Sequence, residues 1–186
     1  MKLSRAQSTK IIRLFTLLLF LAVLAWFNNG TTETSAPAAD APSGPYLLGR
    51  VVAVADGDTV TVLDANKQQH RIRLVGIDAP ENNQAFGRKS GDLLRSWVHG
   101  QEVRIEHTKT DRYNRILGKI WLDERDINLA MIEAGMAWYY RQFARDLAPA
   151  DREPYAQAEA RAREQRLGLW ADPDPQAPWD FRRQRR

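Results

Sequence analysis

Three short stretches carry residue types that can do chemistry. Asp56-Gly57-Asp58-Thr59 sets two carboxylates two positions apart. The run from Arg71 through Arg73 to Asp78-Ala79-Pro80-Glu81 ends in two carboxylates three residues apart, stiffened by a proline. Asp111-Arg112-Tyr113-Asn114-Arg115 puts two guanidiniums and a phenol in a polar turn. Singly, each has an ordinary explanation. Asp-Gly is a common hairpin turn, and the third stretch suits a solvated hairpin tip. The second resists such an account, because a buried strand gains nothing from Arg73 and a plain turn does not need both Asp78 and Glu81.

Taken together they make a site. Asp58 and Asp78 are hard oxygen donors that suit Ca²⁺ or Mg²⁺ and not soft metals. Glu81, a lone carboxylate beside them, can orient or deprotonate a water. Arg73 and Arg115 can grip a phosphodiester with two-donor forks and neutralise charge in its transition state. Metal, base and phosphate clamps are what hydrolysis of a phosphodiester needs. His70, His99 and His107 lie outside these motifs and form no i, i+4 pair. The chain has no cysteine, which excludes disulfide scaffolds, thiolate zinc sites, iron–sulfur centres, thiol catalysis and a lipid-modified cysteine anchor.

These residues need elements to hold them. Leu47–Ala55 and Thr59–Leu63 are β-branched runs with Asp56-Gly57 turning between them. Asn66-Lys67 turns the chain into Gln69–Ile77, where Ile72 and Leu74 alternate with Arg71 and Arg73, the period of a half-buried strand. Gly87–Val98 is predicted helical, with Leu93, Leu94, Trp97 and Val98 on one face and Gly100 as the stop. Glu102–His107 and Ile116–Trp121 flank the Asp111–Asn114 turn as a hairpin. Asn128 is the expected N-cap of a short helix ending at Gly135. Ala137–Tyr140 suits one more strand. Pro154 fits the first turn of a last, Ala-rich helix that stops at Gly168, after which Leu169-Trp170 can fold back on the core. The pattern is mixed β/α and mainly β. Five strands in meander order with three helices fit a small OB-type barrel.

The ends have a different character. Lys2, Arg5, Lys10 and Arg13 precede the uncharged apolar run Leu14–Phe27, a positive segment followed by a hydrophobic one. With Ile11 and Ile12 the apolar stretch is long enough for about 25 Å of helix, slightly short of a bilayer core. Residues 1–27 are therefore expected to be an N-terminal hydrophobic helix, either a retained signal anchor or a cleaved signal peptide. The retained form is favoured, because the small-residue site Ala36-Pro37-Ala38 lies far past the run and contains proline. The basic flank would stay in the cytoplasm and all that follows Phe27 would lie outside it. Residues 28–45, rich in Thr, Ala, Pro and Gly, suggest a flexible linker; 46–170 hold the barrel; 171–186, with three prolines and then four arginines, suggest an extended basic tail. Charge follows the same division. The whole chain is +4, yet 45–170 has 19 basic and 18 acidic residues. A nucleic-acid partner must thus be argued from particular residues and not from bulk charge.

At the level of motifs, the chain resembles the staphylococcal-nuclease-like (thermonuclease) family from about Gly49 to Trp170. The resemblance rests on Asp56-Gly-Asp-Thr-Val60, on Arg73 with Asp78, Pro80 and Glu81, on Asp111-x-Tyr113-x-Arg115, and on the closing Leu167-Gly-Leu-Trp170. It implies an OB-type barrel with three helices. It also implies that Arg73, Glu81 and Arg115 are catalytic, and that Asp58, Asp78 and the Ala79 carbonyl hold Ca²⁺. Tyr113 would contact phosphate, with Arg112 beside it. Asn114 replaces the glycine usual in that turn, which a residue tolerant of positive φ can do. Tyr139, Tyr140 and Phe143 are candidates for stacking on bases or for the core, and Tyr140 is the one assigned to substrate. The expected activity is Ca²⁺-dependent hydrolysis of single-stranded or frayed DNA and RNA by a monomer outside the cytoplasm, on the membrane or secreted. The alternatives are a non-catalytic OB module that binds single strands and a membrane-tethered scaffold. Neither calls for the full Arg, Glu and Asp set found here.

Overall fold

A computed structural model describes residues 46–185, without the side chain of Thr108. Strands β1 (Tyr46–Val54), β2 (Thr59–Leu63) and β3 (Gln69–Leu74) form an antiparallel meander. Strand β5 (Glu102–Thr110) pairs antiparallel with β1 and with β6 (Ile116–Leu122), and β6 pairs parallel with β3 to close the barrel. Three two-residue strands are added: β4 (Ile77–Asp78), β7 (Arg125–Asp126) and β8 (Trp138–Tyr139). The closed five-stranded barrel is the architecture expected from the sequence.

Alternation explains the closure. Ile72 and Leu74 in β3, Val60 and Val62 in β2, and Ile105 and Ile120 in β5 and β6 are all essentially inaccessible to solvent, so these strands share one inward face. Gly118 lies where β6 meets both β3 and β5. A Cβ there would collide with Ile105, so only glycine lets the three strands converge.

Helix α1 (Gly87–Val98) covers one end of the barrel through Leu94 and Val98 and matches the predicted span. Helix α2 (Ile127–Glu133) starts earlier than the sequence suggests. Its cap is Asp126, whose side chain accepts from the Leu129 N–H. Asn128 is instead fully buried. Its Oδ1 accepts from the Ile120 N–H, and its Nδ2 donates to the carbonyls of Val75 and Gly118. It ties the helix to the seam between β3 and β6.

Helix α3 (Pro149–Glu164) has Pro149 in its first turn, while Pro154 lies inside the helix. The sequence names the wrong proline because both have good helix formers after them. Leu169 and Trp170 are buried in a short 3₁₀ turn, Gly168–Ala171, where they pack with Trp138, Ala162 and Ala177 in an apolar cluster separate from the main core. The stretch expected to be an extended tail forms a fourth helix, α4 (Pro178–Gln184), with Ala177 and Pro178 buried. Two prolines before it and a third at its first position mask a short helix whose aromatic residues have somewhere to dock. Among the described residues no helix is long and apolar enough to cross a membrane. The apolar run Leu14–Phe27 and the 28–45 stretch lie outside them.

Candidate active site

The acidic centre is assembled by the turn between β1 and β2 and by the two-residue strand β4. β3 stops at Leu74 because Val75-Gly76 turns the chain, with Gly76 at a φ of 76°. That break re-aims the chain, so that Ile77-Asp78 pairs with Tyr139 and Trp138 of β8 and not with the barrel. Asp78 is completely buried and Asp58 nearly so. Asp58 Oδ2 accepts from the Ala79 N–H at 2.8 Å, and its Oδ1 accepts from the Thr59 hydroxyl at 3.1 Å. The two carboxylates thus come from segments 20 residues apart and are locked by a short backbone contact.

Arg73 lies between them. Its Nη2 is 2.8 Å from Asp78 Oδ1 and 3.1 Å from Asp58 Oδ2. Its Nη1 donates to the carbonyls of Leu74 and Ile77. A single fork therefore holds both acids and the turn that carries one of them, the two-sided geometry that guanidinium allows and ammonium does not.

Negative charge nevertheless remains in excess. Burial, chiefly, lifts the Asp78 carboxyl to about 6, against the pull of Arg182 and Arg73. Burial, and then the nearby Asp58 charge, lifts Asp56 to about 6 as well. Asp56 Oδ1 also accepts from the Asp58 N–H at 3.0 Å. From the sequence, Asp56 has no assigned role in the site beyond its motif and turn. Its place two residues before Asp58 was the available signal.

A divalent cation fits this donor set. Two buried hard carboxylates converge there, burial holds back the ionisation of Asp78, and a nearby cation relieves that cost. Among the described residues no cluster of three or more His, Cys, Asp or Glu side chains has ligand geometry. A cation held by Asp58 and Asp78 would need carbonyl and water oxygens to complete its shell.

Glu81 sits at the rim, its side chain 37% exposed. Its loop is pinned at both ends. The Glu81 N–H donates to Gln84 Oε1. A Cβ on Gly87 would strike the Glu81 carbonyl, so glycine at the start of α1 is what lets the loop close. Arg182, from α4, binds Glu81 Oε1 at 2.8 Å and Asp78 Oδ2 at 2.8 Å. Burial opposes its charge, but the bonds to Asp78 and Glu81 hold this guanidinium more firmly protonated than usual. Arg182 is the main residue of this region that the sequence reading missed. Its tail of prolines and arginines offered no spacing that tied it to Asp78.

Arg115 stands apart from this cluster. It immediately precedes β6, whose first residue, Ile116, pairs with Ile72 of β3, so it emerges beside the strand that carries Arg73. Its guanidinium is held by Asp111 at 2.7 Å, and its own N–H donates to the same carboxylate. Although burial opposes the shift, these bonds and one from the Tyr113 N–H keep the Asp111 carboxyl below the usual range. The turn is therefore braced. Asn114 takes a φ of 59°, as its replacement of glycine requires. Tyr113 is 61% exposed, with the Arg112 and Arg115 guanidiniums both over its ring.

Of the three aromatics near 140, Tyr139 is core. Phe143 is exposed and lies against Tyr140. Tyr140 follows β8 directly, so it is carried to the acidic centre. Burial first, and then the Asp78 charge, raises its phenol above the ordinary value. The Trp179 ring of α4 stacks on it, with centroids 5.3 Å apart and planes 4° off parallel.

A small OB-type barrel with buried acids, an arginine fork between them and a rim carboxylate defines a class: hydrolases acting on phosphodiesters. The profile described as "Staphylococcal nuclease homologue" matches residues 71–172. An uncharacterized endonuclease of Escherichia coli is 46% identical over 137 residues, spanning 73% of this chain and 85% of the relative. A protein named micrococcal nuclease, from Shigella flexneri, is 42% identical over 151 residues, 76% of this chain and 84% of its own length. A staphylococcal-like nuclease of Arabidopsis thaliana is 34% identical over 119 residues, 64% of this chain and 35% of that longer protein. The chain belongs to the staphylococcal nuclease family. It is a hydrolytic nuclease, and its substrates are nucleic acids.

Proposed function

We propose that this chain is a Ca²⁺-dependent endonuclease that hydrolyses single-stranded or frayed DNA and RNA, working outside the cytoplasm and tethered to the membrane through residues 1–27. The observation that carries this reading is the single fork of Arg73 spanning Asp58 and Asp78, with Glu81 three residues beyond on a pinned loop.

Each residue has a task in it. Asp58, Asp78 and the Ala79 carbonyl would hold the ion, which would supply positive charge to the phosphate. Glu81 takes a proton from the attacking water. Arg73, on β3, and Arg115, just before the neighbouring β6, would neutralise the charge that grows on the phosphate oxygens as the water adds, Arg73 through its Nε–H and its charge because its Nη atoms hold the acids and the turn. Arg73 also keeps the two acids in register, so its loss damages both functions. Tyr113 and Arg112 lie where a backbone phosphate can pass, and Tyr140 offers a flat face beside the acids for a base. A flipped or frayed nucleotide suits this cleft, since a stacked duplex does not present a base to such a face.

The test is digestion of single-stranded DNA and RNA by the full-length protein in detergent, with Ca²⁺ and with EGTA in its place. Cleavage is expected with Ca²⁺ and not with chelator. Full activity in EGTA would end the metal-dependent reading.

A further inference from the structure

Helix α4 lies on the catalytic residues in two places at once. Arg182 engages Asp78 with both Nη atoms, at 3.2 Å to Oδ1 and 2.8 Å to Oδ2, and reaches Glu81 with the first of them. Asp78 Oδ1 is already taken by Arg73, so Oδ2 is the oxygen left for a cation, and Arg182 holds it. Three residues earlier, one turn along the same helix, Trp179 lies flat on Tyr140 and edge-on to Trp138. Gln84, on the Glu81 loop, donates to the Gln176 carbonyl just before the helix. A cation on the acids and a flat ring on Tyr140 are what substrate and metal would present there.

We propose that α4 is a tethered occupant of the catalytic cleft, with Arg182 standing in the cation's place and Trp179 in the nucleobase's, and that divalent metal and single strand must displace it before reaction. The proposal rests on the reading of Asp58 and Asp78 as metal ligands.

The helix suits that task. It has seven residues and no side-chain N-cap, so it is marginal by itself and owes its form to what it touches. The Arg182 side chain is 38% exposed, whereas the Asp78 side chain is 1% exposed, so the arginine can leave while the acid stays. Because the helix is part of the chain, its local concentration at the cleft is high at any dilution. Apparent metal affinity is then reduced by the fraction of molecules in which the helix is docked. An occupant docked about nine-tenths of the time weakens metal binding about tenfold.

Ca²⁺ binding by calorimetry, without nucleic acid, tests this on the full-length protein, with Arg182→Gln and Asp78→Asn as variants. Arg182→Gln should bind Ca²⁺ about tenfold more tightly, and its cleavage should half-saturate at lower Ca²⁺ with kcat kept. In the wild type, hydrogen exchange at residues 177–184 should speed up when Ca²⁺ and a short oligodeoxynucleotide are added. Unchanged or weaker Ca²⁺ binding in Arg182→Gln, with Asp78→Asn abolishing it, overturns the proposal and leaves the metal site standing. A fall in kcat in Arg182→Gln also overturns it, because the arginine would then serve the substrate. If Asp78→Asn binds Ca²⁺ as well as the wild type, the metal reading fails and the proposal with it.

Discussion

Arg73 and Arg115 carry the same charge in different settings, and the difference sets what each can tolerate. Arg73 has four acceptors on one guanidinium, two carbonyls and two carboxylates. Lysine offers one nitrogen and cannot serve them together. Arg115 is aimed by Asp111 through both its backbone and its side chain. Arg73→Lys and Arg115→Lys should each lose activity by orders of magnitude with net charge unchanged. The loss should fall on kcat more than on KM, since the fork matters most when charge has grown on the phosphate. Steady-state kinetics at two salt concentrations decides it. Near-normal kcat, with a loss seen only in salt-dependent binding, would reduce both to surface attraction. Glu81→Gln keeps the shape of the rim residue and removes its basicity. Hydrolysis should slow roughly 100-fold or more while oligonucleotide binding barely changes, and a wild-type single-turnover rate would remove Glu81 from the mechanism. At this scale much was legible, because Asp58, Arg73, Asp78 and Glu81 sit in short motifs whose spacing survives folding. Arg182 was not, since 101 residues separate it from Glu81 and no local pattern records such a contact.

Elements set by alternation were the easiest to foresee, namely β2, β3 and α1, whose residues repeat with period 2 or 3.6 along one buried face. Those set by competition between local rules were harder. Asn128 is a good cap by type, yet Asp126 caps the helix while Asn128 is drawn into the barrel seam. Asn128 bonds three backbone groups of β6 and the β3–β4 turn, of which the Gly118 carbonyl also accepts from the Val75 N–H. Asn128→Leu would keep the volume and leave the Ile120 N–H and the Val75 carbonyl without this partner in the interior, each costing about 1–3 kcal/mol, while the Gly118 carbonyl keeps the Val75 N–H. The variant should therefore lose about 2 kcal/mol or more, a drop in Tm of roughly 5–10 °C for a domain of this size. Thermal unfolding followed by circular dichroism measures it. A loss under about 1 kcal/mol would show that water or neighbouring groups satisfy the seam without the side chain.

Across the whole molecule, the charge pattern separates catalysis from location. The barrel is close to neutral, while excess positive charge sits in residues 1–44 and at the C-terminus. One basic end meets the candidate site, through Arg182. The other precedes the apolar run Leu14–Phe27, a pairing of basic flank and hydrophobic segment that orients a chain in a membrane. The proposed address outside the cytoplasm would keep such a nuclease away from the cell's own nucleic acids. The intact protein should fractionate with membranes, resist extraction by high salt and be released by detergent. In sealed right-side-out preparations, added protease should remove the nuclease domain while the basic flank, Lys2–Arg13, stays protected. Bulk electrostatic attachment predicts instead that salt frees the protein, because screening weakens surface charge pairs and leaves apolar burial intact. Recovery of only a shortened soluble form, starting near Ala39, would mean that the apolar run is removed and the enzyme released.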